Sequence, residues 1–283
     1  MPDIIANTMD ELYQKVIRKI LDEGEEVTAR GLTFKECRFQ HLLLKNPRAR
    51  VIRNPLRKVS LKFTAAEFIW MMGGRSDIEM ISTYNKRMAT FSDDGETLNG
   101  AYGPRLRDWN GMDQIANVIK QLRDDLYTRQ AVIIILDPRK DLYTKTKDVP
   151  CNDLLQFMYR EGALHMSCYV RSNDMNWGIP YDIFHWTMLQ EMIASELGVP
   201  VGEYNHFIGS MHIYDKDYDA MAKIADACPE HVSVMPDMPL NQDVIATINM
   251  LESVEVCRRC LNKDTRVWLH DYWREFINPL FEV

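Results

Sequence analysis

Residues 164–183 read LHMSCYVRSNDMNWGIPYDI. Leu164, Met166, Cys168 and Val170 alternate with His165, Ser167, Tyr169 and Arg171, the two-residue period of a strand with one face in a core. Arg171 falls on the polar face. The run Ser172-Asn173-Asp174 and the glycine at 178 then break the pattern, and Pro180 stands where a helix begins. A strand, a polar loop and a helix start in succession form a reasonable anion site. Taken alone, such a loop is more often a solvated connection.

The flanking sequence extends this unit in both directions. LLQFMYR (154–160) is a second strand candidate, joined to the first by Glu161-Gly162-Ala163 as a hairpin. Before it, AVIIIL (131–136) fits a buried strand, and the polar loop DPRKDLYTKTKDVP leads to Cys151. After Pro180, the run to Leu197 reads as a core helix, followed by a strand from Tyr204 to Tyr214 and two or three helices. Near the N-terminus, Thr8 with Glu11 is a capping box before Leu12, Val16, Ile17, Ile20 and Leu21 at helical spacing. A second box, Thr64 with Glu67, predicts a helix running through FIWMM to a stop at Gly73-Gly74. Ile115, Val118, Ile119 and Leu122 mark another amphipathic helix. We find no repeat, low-complexity tract or linker, so one α+β domain over 1–283, a mixed sheet among helices, is the expectation.

The net charge of -7 over 283 residues argues against a duplex nucleic-acid binder, which needs a basic face. It leaves room for a small anion held by a few arginines. No apolar run approaches a membrane span, and the N-terminus MPDIIANTMDELYQ is acidic and unlike a signal sequence, so a cytoplasmic protein is expected. The six cysteines lack small-scaffold spacing and read as reduced thiols. Cys257 and Cys260 form a CxxC in a helical run without a second ligand pair, so no metal site is expected.

Three stretches could carry chemistry. Cys151 lies between a charged loop and a strand, although most cysteines are small buried hydrophobes. Arg171 to Asp174, with Trp177-Gly178, is the loop described above. His212 and Tyr214 project to one side of a strand at i, i+2 and could bind sugar hydroxyls. Together, PCNDLLQF, YVRSNDMNWGIPYDI and GSMHIYDKD, supported by AEFIWMMGG, NGAYGPRLRDW and YTRQAVIII, resemble the folate-dependent thymidylate synthase family. The resemblance is collinear over roughly 8–215 and weakens after Tyr218, leaving an atypical helical part from about 219.

The resemblance implies a thymidylate synthase-like fold, a homodimer formed through the sheet, and roles residue by residue. Cys151 would attack C6 of a pyrimidine, making C5 nucleophilic toward 5,10-methylenetetrahydrofolate. Glu67 would organise proton transfer near the base and Tyr102 would assist proton removal at C5. Arg171 and Ser172 would bind phosphate, with Arg171 close enough to favour the thiolate. Arg129 would reach the phosphate from the partner subunit, its usual second arginine being Gln130 here. Arg30 is the candidate for the N-terminal phosphate arginine. Asp174, with Trp177 and Gly178, would contact the folate, and His212 and Tyr214 the sugar 3′-hydroxyl.

Two departures from the family pattern bear on substrate and product. The base-reading asparagine maps onto Asp182. An ionised aspartate only accepts, so it suits the 4-amino group of cytosine and repels O4 of uracil; an acid favouring a helix start is the structural alternative. This swap resembles the deoxycytidylate hydroxymethylases, as does Asn152 in place of the histidine after the nucleophile. The tryptophans that precede the NGAYG-like motif in thymidylate synthases are absent from STYNKRMATFSDDGETLNG, where Met88 and Phe91 stand instead. Less shielding admits water, so the expected product is the 5-hydroxymethyl nucleotide of dCMP, or of CMP. Methylation of dCMP, thymidylate formation from dUMP, and an idle nucleotide- or RNA-binding relative remain alternatives, and FINPLFEV (276–283) is a candidate closing tail.

Overall fold

The computed structural model describes residues 1–143, 145–229 and 231–282. Along the chain the elements are β1 (Ile4–Ala6), α1 (Met9–Glu23), β2 (Glu25–Ala29), β3 (Leu32–Leu44), α2 (Leu61–Met72), α3 (Ile78–Tyr84), α4 (Tyr102–Arg107) and α5 (Gln114–Asp124). They continue with β4 (Val132–Ile134), α6 (Pro138–Asp141), β5 (Asn152–Arg160), β6 (Ala163–Asp174), α7 (Ile179–Leu197), β7 (Val201–Tyr214), α8 (Tyr218–Asp226), α9 (Val244–Leu261) and α10 (Asp271–Phe281). The backbone contacts divide the chain into two interleaved compact units.

The first unit comprises Met1–Val59, Cys151–Ala194 and Val199–Asp237. Its sheet runs β1-β3-β7-β6-β5, with β2 paired to β3. β1 lies parallel to β3 and β6 parallel to β7, while the β3–β7, β5–β6 and β2–β3 pairs are antiparallel, so the sheet is mixed. The β5–β6 hairpin turns at Glu161 and Gly162, both at positive φ (53° and 81°), as a two-residue turn between right-twisted strands requires. The expected alternation along β6 is observed: Leu164, Met166, Cys168 and Val170 are buried, whereas Tyr169 and Arg171 are exposed. α1 begins where its capping box indicates, Thr8 Oγ1 accepting the Glu11 N–H at 3.2 Å. α7 is buried along most of its length, and the Gln190 amide donates to the carbonyls of Leu164 and Gly202 at 2.9 and 3.1 Å, tying the helix to β6 and to the start of β7.

The second unit comprises Ser60–Pro150, Ser195–Gly198 and Met238–Val283, of which Thr144 and Val283 lie outside the described residues. α2 starts earlier than expected. Its N-cap is Ser60, whose side chain accepts from Phe63 N, and Thr64 sits inside the helix with its hydroxyl bonded to the Ser60 carbonyl at 2.9 Å. The Ser60 cap adds a turn before the Thr64–Glu67 box, and the helix stops at Gly73 as expected. The strand expected over 131–136 is confined to Val132–Ile134. α10 packs on α2 through Phe68 and Phe276, edge to face at 5.5 Å. Thus the FINPLF part of the candidate tail is helical, Phe281 lies 4.2 Å beneath the Arg266 guanidinium, and Val283 falls outside the described residues.

Candidate active site

In the first unit, the ends of β5, β6 and β7 gather most of the expected residues. Cys151 immediately precedes β5, and its carbonyl accepts the Arg171 N–H at 2.9 Å, which fixes the two residues side by side. The Arg171 side chain returns to the same cysteine, with Nη2 3.8 Å from Sγ. A guanidinium against the sulfur is the setting in which a thiolate is favoured. Ser172 follows on β6, half-buried, in register with Ser210 of β7.

Asp174 closes β6 opposite His212. Burial pushes its carboxyl above the usual range, against the Asn176 N–H donated to Oδ1 at 2.9 Å and the charge of His212. His212 and Tyr214 project together, their rings 5.1 Å apart and both packed against Phe34. Burial and Asp174 raise the Tyr214 phenol, Arg30 lowers it and Cys151 raises it again, so these groups share one electrostatic neighbourhood. Arg30 occupies the tip of the β2–β3 hairpin, exposed and at φ 51°, with Gly31 at 77°. Trp177 is 42% exposed in the loop after Asp174. Gly178 is required where it stands, because a Cβ there would lie 2.5 Å from Asn173 Nδ2 and 3.0 Å from the Asp174 carbonyl oxygen.

Asp182, in the first turn of α7, is buried at 9% exposure. Burial pushes its carboxyl up to about 6, opposed by the side-chain amides of Asn173 and Asn152. These donate to Oδ2 at 2.7 Å and to Oδ1 at 3.1 Å. Neither partner is named from the sequence as an Asp182 ligand. A signal exists for the groups behind them: Tyr204 and His206 repeat on β7 the same i, i+2 pairing that singles out His212 and Tyr214.

The other expected residues belong to the second unit. Glu67 is half-buried in α2 between the buried Ala66 and Phe68. Tyr102 is the first residue of α4, which Arg105 anchors by a paired bond to Asp141 at 2.6 and 2.8 Å. Arg129 is exposed in the loop after α5. Met88 lies in the 3-10 turn Lys86–Phe91, and Phe91 is 37% exposed.

A profile described as thymidylate synthase matches residues 11–257. The chain belongs to the thymidylate synthase family. The match extends well past the motifs that carry the resemblance, into α9. Over 222 residues the chain is 38% identical to a protein named deoxyuridylate hydroxymethyltransferase from Bacillus phage SP01, covering 74% of this chain and 58% of that protein. Over 184 residues it is 35% identical to a protein of the same name from Pseudomonas phage M6, covering 64% of this chain and 52% of that one. The chain therefore spans just over half the length of these relatives. Among the described residues no helix is long and apolar enough to cross a membrane, and no group of three His, Cys, Asp or Glu could hold a metal.

Proposed function

We propose that the protein is a one-carbon transferase that hydroxymethylates C5 of a cytidine monophosphate, dCMP or CMP, with 5,10-methylenetetrahydrofolate as co-substrate. Cys151 adds through sulfur to C6, and the electron pair released at C5 takes up the folate's one-carbon unit. Loss of the C5 proton and departure of tetrahydrofolate leave an exocyclic methylene. Water adds to that carbon, the sulfur leaves C6, and the 5-hydroxymethyl nucleotide is released. The observation that carries the base assignment is Asp182, a buried carboxylate with both oxygens already engaged as acceptors.

Support for the remaining roles comes from the geometry of the first unit. Arg171 and Ser172 bind phosphate, Arg30 reaches it from its hairpin tip, and His212 with Tyr214 holds the sugar. Asp174 fits the folate's N–H groups, being a half-buried acceptor beside Gly178 and the exposed ring of Trp177. For Glu67, Tyr102 and Arg129 we propose the roles that the family pattern assigns, Arg129 acting on the partner subunit's nucleotide. We likewise treat 1–283 as one catalytic domain. A homodimer through the sheet is supported by the stacked rings of His41, Phe207 and Tyr169 (4.1 and 4.8 Å), which line one surface depression with Phe39, 84% exposed. A Phe39→Asp variant sedimenting as the unaltered protein does would refute that interface.

Hydroxymethylation of dUMP is a second reading, which the relatives' names and one structural observation favour. Burial moves Asp182 toward its neutral form, and a neutral carboxyl presents a donor and an acceptor as asparagine does. Tritium release from C5-labelled dCMP, CMP and dUMP, in the presence of methylenetetrahydrofolate, separates the readings. The cytidylates should release label and Cys151→Ser should release none; release confined to dUMP would transfer the assignment to the second reading.

A further inference from the structure

Asp182 ends two buried chains of polar groups, joined behind it by Cys168 and Tyr204, that the catalytic roles above leave unused. The direction of the Asn152 amide is set from behind, and that of Asn173 follows the tautomer of His206. Asn152 Oδ1 receives Trp186 Nε1–H at 3.1 Å, and an indole N–H can only donate, so Asn152 must turn its NH2 group to Asp182. The Cys168 thiol is a second donor to the same oxygen at 3.1 Å. On the other side, Asn173 Oδ1 lies 3.0 Å from His206 Nε2, and His206 Nδ1 lies 2.7 Å from the Tyr204 hydroxyl. Burial lowers His206 to about 3, so the ring is neutral, with one nitrogen donating and the other accepting. Tyr204 also hydrogen-bonds Cys168. In the tautomer that has the Tyr204 O–H donated to His206 Nδ1, Nε2–H donates to Asn173 Oδ1, and the Asn173 NH2 group donates to Asp182 Oδ2.

We propose that Asn152 and Asn173 are positioning residues that determine base specificity: they hold Asp182 as an acceptor on both oxygens and thereby set the pH below which uracil is admitted. The inference rests on the base-reading role given to Asp182 above. A carboxylate offers about four lone-pair sites, and the two amides leave acceptor capacity for a cytosine amino group. Protonation would convert the same side chain into a donor and acceptor matching O4 and N3–H of uracil. The titratable groups facing Asp182 are Cys168 of β6 and Tyr204 and His206 of β7. Burial raises the first two well above their usual values and lowers His206, so all three are uncharged at neutral pH. The amides rather than these groups oppose protonation. Gly178 preserves the space that the Asn173 amide needs.

The test compares kcat/KM for dCMP with that for dUMP across pH in the unaltered enzyme, Asn173→Val, Asn173→Thr and Asp182→Asn. Valine and threonine share a shape and differ by one hydroxyl donor. The dCMP/dUMP ratio should fall as pH drops through the Asp182 titration. Asn173→Val should move that fall to higher pH and lower the ratio at neutral pH about tenfold, the worth of about half to one hydrogen bond to a charged group. Asn173→Thr should restore most of it. A folded Asn173→Val with an unchanged ratio and pH limb, beside an Asp182→Asn that inverts preference, overturns the proposal alone. An Asp182→Asn with unchanged preference overturns the base reading and this inference with it. Should Asn173→Val not fold, Asn152→Ala is judged by the same two criteria.

Discussion

Replacing Gly178 by alanine tests how tightly the Asp182 neighbourhood is packed. The added carbon would stand 2.5 Å from Asn173 Nδ2, with the Asp174 carbonyl oxygen at 3.0 Å and its nitrogen at 3.2 Å. Comfortable non-bonded separations are about 3.5–4.0 Å, so Nδ2 must retreat by roughly 1 Å. The neighbouring backbone atoms leave the new carbon little room to move instead. The bond from Asn173 to Asp182 is 2.7 Å long, and a retreat of that size breaks it. Loss of a hydrogen bond to a charged group costs about 1.5–3 kcal/mol, and overpacking adds about 1–3. Together they come to about 2.5–6 kcal/mol, a large part of a stability of about 5–15 kcal/mol. Urea denaturation of Gly178→Ala, with m unchanged, should show this as a lowered midpoint. A variant within about 0.5 kcal/mol of the unaltered protein, the range of ordinary surface substitutions, would refute the packing described.

Asp182→Asn, measured by kcat/KM, should shift preference from cytidylate toward uridylate by about 10- to 100-fold, as expected when one mispaired buried group is exchanged for another. Arg171→Gln removes the cation 3.8 Å from the Cys151 sulfur and should slow alkylation of that thiol by iodoacetamide about tenfold; an unchanged rate would deny the contact. His206 should draw stability down as pH falls from about 6.5, the ordinary histidine value, toward 3, where it protonates in the folded chain, because over that window the unfolded chain binds a proton that the buried ring refuses. His206→Gln should flatten this limb in urea midpoints taken against pH, while Asp182, raised to about 6, contributes the opposite slope above its ordinary value in both proteins.

Features read correctly from sequence are those decided locally. The Glu161-Gly162 turn needs two residues at positive φ, the β6 alternation follows from strand period, and the Thr8 cap acts within one turn. Local reading also explains its own error at α2: Ser60 and Thr64 both offer a hydroxyl before an apolar run, and only the folded chain selects between them. In the candidate site, Cys151, Arg171, Asp174 and His212 lie on contiguous motifs and were legible. Asn152, Asn173, His206 and Trp186 were not legible as partners of Asp182. Their meeting depends on the register of β5, β6 and β7 and on how α7 lies against them, which no spacing within a single element records.

An equimolar mixture of dCMP and dUMP, incubated with the enzyme and methylenetetrahydrofolate and read by mass spectrometry at early times, sets the two bases against each other directly. The 5-hydroxymethyl product of dCMP should accumulate first and in excess. Faster accumulation of the 5-hydroxymethyl product of dUMP would contradict the role given to Asp182.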